Sequence, residues 1–328
     1  MIRVPQNRSA RSLTSPWARW MWLAIAGVAT IDILWVALGR PALSPTSIVS
    51  IAGVTVAVAI GAVASRKLAE GSSIHTLVTG ATMLLAAWPS LRIFNHLTMS
   101  VGLPLADPWL AQMDRLIGFD WIAYIRFMDG YPTLVAAMGL SYGSLTDYSI
   151  LLFLVLVVGQ NPAPRCAEFV KLFLLTALAC MTIGMCFPAV AAAAFYTPPA
   201  EAFGFIRADA GSYHLTALHS LRTDQHPVLD FQHLPGLVTF PSFHTAMGVI
   251  AIYCARHDPV LLSLSILVNV TMIASTPIFG SHYAIDILAG ALVAGIAILF
   301  VRGEARRTVR LTQTGEPLVP HQADALAG

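Results

Sequence analysis

Two short segments carry the side chains best suited to chemistry. Phe240-Pro241-Ser242-Phe243-His244 opens one apolar run, and Ser281-His282-Tyr283-Ala284-Ile285-Asp286 opens another. His282 and Asp286 are four residues apart, which on a helix puts them on one face. A carboxylate so placed takes a hydrogen bond from one ring nitrogen, fixes the tautomer and leaves the other nitrogen basic. A nucleophilic histidine needs that arrangement. His244 lies one turn inside its own helix, where it can protonate a leaving oxygen. Pro241 suits the first position of a helix, and the free N–H groups and dipole of such a start favour a phosphate. Ser242 and Ser281 add hydroxyl donors. A plainer reading stands beside this one: Pro-Ser is a common helix opening, and a histidine near a membrane interface often serves packing alone.

The elements that must position these residues are read from composition. Of 328 residues, 56% are hydrophobic and 11% charged, with a mean hydropathy of +0.71. Soluble domains carry about 25% charged residues. The values exclude a soluble enzyme, a disordered regulator and a nucleic-acid binder, and the net charge of +2 points to no acidic partner. The expected fold is an all-α integral membrane protein of one domain. A span needs about 20 apolar residues. Eight stretches qualify: 17–38, 46–64, 74–97, 131–159, 167–187, 241–257, 259–279 and 282–301. The first follows several arginines but has too long an apolar run for a cleaved signal, so it is read as a retained helix. Spans four to eight are expected to form the core, with the first three packed around it. Cys166, Cys180, Cys186 and Cys254 form no CxxC pair and are read as free thiols.

Basic residues set the orientation. With residues 1–16 and 302–328 both cytoplasmic, thirteen of the nineteen Lys and Arg lie inside. The loops 98–130 and 188–240 and the starts of the two chemical segments then face outwards, the periplasmic side of an inner membrane if the host is bacterial. The tail from Gly303 is expected to be disordered. Residues 104–128 mix apolar and charged side chains, as an amphipathic interfacial helix or a short helix capping the bundle does. Asp32 falls mid-span, and Asp147 lies in the polar stretch Ser141–Tyr148. Each should face a partner or a wet cavity, because a charge at mid-bilayer costs at least about 2.5 kcal/mol.

The two segments resemble motifs of the type-2 phosphatidic acid phosphatase superfamily. Pro241-Ser242-Phe243-His244 is similar to its Pro-Ser-Gly-His motif, and Ser275-Thr276 followed by His282 and Asp286 is similar to Ser-Arg-x5-His-x3-Asp. His-Tyr-x-x-Asp, the bulky residue in place of Gly, and residues 113–121 (MDRLIGFDW) look like its inositol-phosphorylceramide synthase-like, inositolphosphotransferase branch. The likeness runs from about 90 to 300. It implies a core of five to six helices and a phosphatase or phosphotransferase of membrane lipids acting through a phosphohistidine. In that scheme His282 attacks phosphorus, Asp286 orients it, and His244 protonates the leaving oxygen; no metal or other cofactor is required. The partner would be a lipid phosphate or phosphodiester entering from the membrane. The first family motif, Lys-x6-Arg-Pro, is absent, and Thr276 replaces the third-motif arginine. Arg222 is the first candidate to hold the phosphate in their stead, and Arg92 the second. Weak clamping favours a phosphodiester, which carries one charge rather than two. Three alternatives remain at this level: a zinc hydrolase using His244, His282 and Asp286, an ion or proton transporter, and a non-catalytic lipid binder. Oligomeric state is not legible.

Overall fold

The structure is a computed structural model that describes residues 16–39, 41–207 and 209–314. The expectation for residues 1–15 and for the tail after 314 falls outside these residues. Thirteen α-helices, two short 3-10 helices and one two-residue strand pair make up the regular structure among them.

Three long helices come first: α1 (Pro16–Leu38), α2 (Pro45–Arg66) and α3 (Ser73–Ser100). Ser44 and Ser72 cap α2 and α3 by accepting from the third N–H that follows each. Two short helices, α4 (Asp107–Leu116) and α5 (Trp121–Asp129), lead to α6 (Pro132–Gly143), α7 (Leu145–Val158) and α8 (Pro162–Cys186). A long connection carries α9 (Ala192–Tyr196) and α10 (Leu215–Thr223). The chain closes with α11 (Phe243–Ala255), α12 (Pro259–Phe279) and α13 (Ala284–Thr314).

Six described helices are long and apolar enough to cross a membrane, or seven if α6 and α7 count as one span. That pair is bent by 59°. The break falls in the polar stretch expected to line the bundle. There the Ser141 hydroxyl donates to Val268 O across to α12, and Asp147 is exposed rather than turned to a partner. The sixth expected span is the short helix α11, with 13 residues. At 1.5 Å per residue it is about 20 Å long, short of the roughly 30 Å hydrocarbon core.

The core differs from expectation in one respect. Helix α3 is the most enclosed of the six, with half of its apolar window buried, against 6% for α2. One apolar cluster joins α1, α3, α7, α8, α11 and α13 through Met83, Leu156, Phe169, Leu172 and Ile250. So α3 belongs to the core, and α2 rides outside it. The helix ends opposite the site are tied by Glu168, which accepts from Arg256 at 2.9 Å and from the Tyr253 hydroxyl at 2.8 Å. The final helix continues to Thr314, so the segment after Gly303 begins as helix and not as a disordered tail.

Asp32 is buried, and neither carboxylate oxygen has a hydrogen-bond partner among the described residues. An unpartnered buried carboxyl opposes folding. Asp32→Leu should therefore raise the Tm in detergent by several degrees, reflecting about 1–3 kcal/mol. A lower Tm would show that Asp32 makes an essential contact.

Residues 101–131, 187–207, 209–241 and 280–283 gather at one end. Pro188 O accepts from Ala106 N, Ser281 O accepts from Ala192 N, and strand β1 (Ala42–Leu43) pairs in parallel with β2 (Val228–Leu229). The first three helices hold the segment that leads to Pro241. The Ser47 hydroxyl donates to Leu229 O and accepts from Phe231 N, and Asn95 Oδ1 accepts from Leu237 N.

Candidate active site

Helix α11 begins two residues later than its Pro-Ser opening suggests. Ser242, not Pro241, stands at the cap, and its Oγ accepts from Thr245 N at 3.3 Å and from the Thr245 hydroxyl at 3.1 Å. Phe243, where the family motif has Gly, turns away from the site and packs edge-on against Phe173 of α8 at 6.1 Å. A bulky residue is thus accommodated there.

His282 precedes α13 rather than lying inside it, and its N–H donates to Thr276 O at the end of α12. Its contact with Asp286 forms across the helix start. Nδ1 lies 3.1 Å from Asp286 Oδ2, which also accepts from Tyr283 N at 3.0 Å. Nε2 lies 3.3 Å from Ser242 Oγ. That oxygen already accepts two hydrogen bonds, so its own proton is directed at Nε2. This assigns the proton on His282 to Nδ1, facing the carboxylate, and leaves Nε2 as the basic nitrogen. Both His282 and Asp286 are buried.

His244 faces the pair, its ring centroid 6.5 Å from that of His282. Its other side stacks on Tyr142, 4.2 Å away with planes 9° apart. Among the described residues its ring nitrogens make no hydrogen bond, and neither do the N–H groups of Phe243 and His244 at the start of α11. The basic nitrogen, the second imidazole and two open N–H donors therefore share one helix start, the setting an anion needs. Gly280 keeps this space open. A Cβ there would lie 2.7 Å from the Tyr142 hydroxyl and 3.0 Å from His282 Nε2.

The two halves of the site are held by close backbone contact. Ser242 N donates to Asp286 O at 3.0 Å, and a Cβ on Gly290 of α13 would sit 2.2 Å from Ser242 O. Gly290→Ala must push α13 from the α11 start. A displacement of this order costs about 100-fold in turnover, with a stability loss of about 1–3 kcal/mol. Paired kcat and Tm measurements test this; unchanged kcat would show that the two helix starts need not touch.

Three residues that support the site were not singled out from sequence. Asp114, on α4, is buried and accepts from Ala284 N at 3.0 Å and Ile285 N at 2.9 Å, capping α13 from another helix. Asp107 accepts from Val190 N, Ala191 N and the Tyr283 hydroxyl. Burial raises the pKa of both carboxyls and their N–H donors lower it. Tyr142 is the third. Asp114 lies in the 113–121 segment that resembled the family, yet nothing in its spacing named its target. Residues 104–128 are accordingly two helices locked onto α12 and α13, not one interfacial helix: Trp121 Nε1 donates to Pro277 O and the Tyr124 hydroxyl to Ala274 O.

The remaining expected ligands lie apart from this centre. Ser281, with a φ of 52°, is buried beneath Gly211. Its Oγ accepts from Ala193 N at 2.6 Å and so anchors α9. The Ser275 and Thr276 hydroxyls donate back to Met272 O and Ile273 O of their own helix. Arg222 donates to Leu103 O at 2.8 Å. Arg92 donates to Leu234 O and lies over the rings of Trp88 and Phe231. No hydrogen bond brings either guanidinium to His244, His282 or Asp286. Both ring nitrogens of His214 face carbonyl oxygens, Gly211 O at 3.1 Å and Val190 O at 3.2 Å. Burial lowers its pKa, and the two acceptors raise it. Among the described residues, no three His, Cys, Asp or Glu side chains converge as a metal site.

The fold is that of a multi-helix membrane protein in which a carboxylate-backed histidine faces a second histidine. The family model of the PAP2 superfamily matches residues 108–300, and this chain is a member of that superfamily. Neither a curated protein nor a solved structure matches it. Membership carries a phosphatase-type action on lipid phosphates, and the match runs from α4 into α13.

Proposed function

We propose that the protein cleaves or transfers lipid phosphoesters through a phosphohistidine on His282, without a metal. The observation that carries this reading is the line from Asp286 through Nδ1 to an unprotonated Nε2 beside the Ser242 hydroxyl, on a ring whose centroid lies 6.5 Å from that of His244. Nε2 attacks phosphorus as the bond to the leaving oxygen breaks, and His244 gives that oxygen its proton. A water or alcohol then gives its proton to His244 and attacks phosphorus, and the P–N bond breaks. Asp286 stabilises the imidazolium character that Nδ1 gains. The open N–H groups of Phe243 and His244 are aimed at the charge that develops on the phosphoryl oxygens.

Among the described residues no Lys or Arg is hydrogen-bonded to the histidine pair, so a singly charged phosphodiester suits the site better than a dianion. The likeness to the inositol-phosphorylceramide synthase-like branch points the same way, towards transfer between lipids. The bias of Lys and Arg among the loops supports an orientation with this end outside the cytoplasm and both termini inside.

The test is to incubate detergent-purified protein, with EDTA present, with labelled short-chain phosphatidic acid and phosphodiester lipids, and to quench in alkali. Expected is an alkali-stable, acid-labile label on residue 282. Turnover with no label at 282, or turnover abolished by EDTA and restored by zinc, would overturn the reading.

A further inference from the structure

His244 must move a proton in both halves of the reaction, yet no hydrogen bond aims it. Among the described residues its contacts are with two rings: Tyr142, 4.2 Å away with the planes 9° apart, and His282 at 6.5 Å. The last side-chain torsion of a histidine is broad, so an imidazole without a polar partner turns freely unless packing stops it. Tyr142 is itself fixed. Beside it, the Ser141 hydroxyl donates to Val268 O at 2.6 Å and ties the end of α6 to α12. The Phe279 ring lies 6.0 Å from that of Tyr142, tilted by 34°. Gly139 lets Phe279 come so close, because a Cβ there would lie 2.9 Å from its Cζ.

We propose that Tyr142 is a positioning residue for proton transfer: its ring face holds the plane of His244 so that the imidazole N–H meets the leaving oxygen. The proposal rests on the phosphohistidine reading. The same face attracts the imidazolium that His244 forms before it gives its proton and after it takes one from the acceptor. The hydroxyl has no part in this. Its hydrogen-bonding neighbour is the Tyr213 hydroxyl at 3.4 Å, beyond the usual range for two oxygens.

The two half-reactions make this role separable from packing. In the first, His282 Nε2 bonds to phosphorus, the bond from phosphorus to the leaving oxygen breaks, and the proton of His244 goes to that oxygen. In the second, the acceptor hydroxyl gives its proton to His244, its oxygen bonds to phosphorus, and the P–N bond breaks. An alkoxide needs the proton in order to leave, and p-nitrophenolate does not. A turned imidazole therefore slows the first half-reaction of an alkyl ester alone, and the second half-reaction of both esters.

The test uses the full chain in detergent and two esters of one radiolabelled dodecyl phosphate, with hexanol or with p-nitrophenol. Protein in excess over ester limits the reading to the first half-reaction. Tyr142→Leu is expected to slow alcohol release at least about tenfold and nitrophenol release less than about threefold. With the nitrophenyl ester in excess, a normal first turnover should give way to a slowed steady rate, with label accumulating on residue 282. Tyr142→Phe, which keeps the ring, should stay within about threefold of wild type on both esters. Equal slowing of both esters by Tyr142→Leu in the first half-reaction would show a structural effect and overturn the proposal. A loss in Tyr142→Phe as large as in Tyr142→Leu would give the work to the hydroxyl and overturn it too. Should the leucine variant fail to fold, Phe279→Leu, which removes the ring packed on Tyr142, must split the two esters in the same direction, and the absence of a split there is equally fatal. Wild type that releases neither product and takes no label at residue 282 refutes the phosphohistidine reading and the proposal with it. Label at 282 without a split between the esters in the variants refutes the proposal alone.

Discussion

His282→Ala is expected to lower turnover of any lipid phosphoester substrate by at least ~10⁴-fold, the scale on which removal of a covalent nucleophile acts. The loss should appear in kcat, since Nε2 forms its bond only in the reaction, and the phosphoenzyme label should vanish with it. Removing the ring also strips Asp286 Oδ2 of one of its two hydrogen-bond partners in a buried setting. His282→Gln, which keeps a polar group beside the carboxylate, separates chemistry from folding. It should retain the wild-type Tm more closely than His282→Ala and be equally inactive. If His282→Ala keeps more than a tenth of the wild-type rate, the nucleophile lies elsewhere.

Asp114→Ala is expected to have the second largest effect, although Asp114 touches no reacting atom. It is a positioning residue. Its two oxygens hold Ala284 N and Ile285 N, the first N–H groups of α13, between His282 and Asp286. Without them two part-buried donors lose their acceptor, at about 1 kcal/mol each. The helix start that sets the His282–Asp286 distance is then free to shift, and turnover should fall about 100-fold or more. Asp114→Asn keeps one acceptor oxygen and should restore part of both rate and Tm. The distinguishing reading is the split between kcat and KM: a positioning role lowers kcat with little change in KM. A variant with normal kcat and only a lower Tm would reduce Asp114 to a structural cap.

These expectations differ in how far they could be seen in the chain itself. His244, His282 and Asp286 were legible because each motif is short and its geometry local: a helix start and a carboxylate four residues on. Most long apolar helices were legible for the same reason, since twenty apolar residues have few other fates. Asp114 was not, because its targets lie 170 and 171 residues away and a carboxylate on a short helix gives no hint of which N–H groups it meets. Tyr142 looked like part of a polar lining within a span; a bend of 59° instead delivers its ring to His244. Arg222, chosen by its distance in sequence from Pro241, donates to Leu103 O because the long connection folds back as α10 over the 101–106 segment.

From the linear chain alone it follows that this is a helical membrane protein and that two imidazoles and one carboxylate sit at neighbouring helix starts, where the structure brings them together. Local spacing and hydropathy depend only on neighbouring residues, so those properties survive in a linear reading. Only the tertiary structure decided how the centre is held. Gly290 lets α13 meet the start of α11, Asp107 and Asp114 satisfy N–H groups far along the chain, and α3 enters the core to secure the segment ahead of Pro241. Those contacts exist because buried backbone groups must find partners, and which partner each one finds is settled by packing among helices remote in sequence.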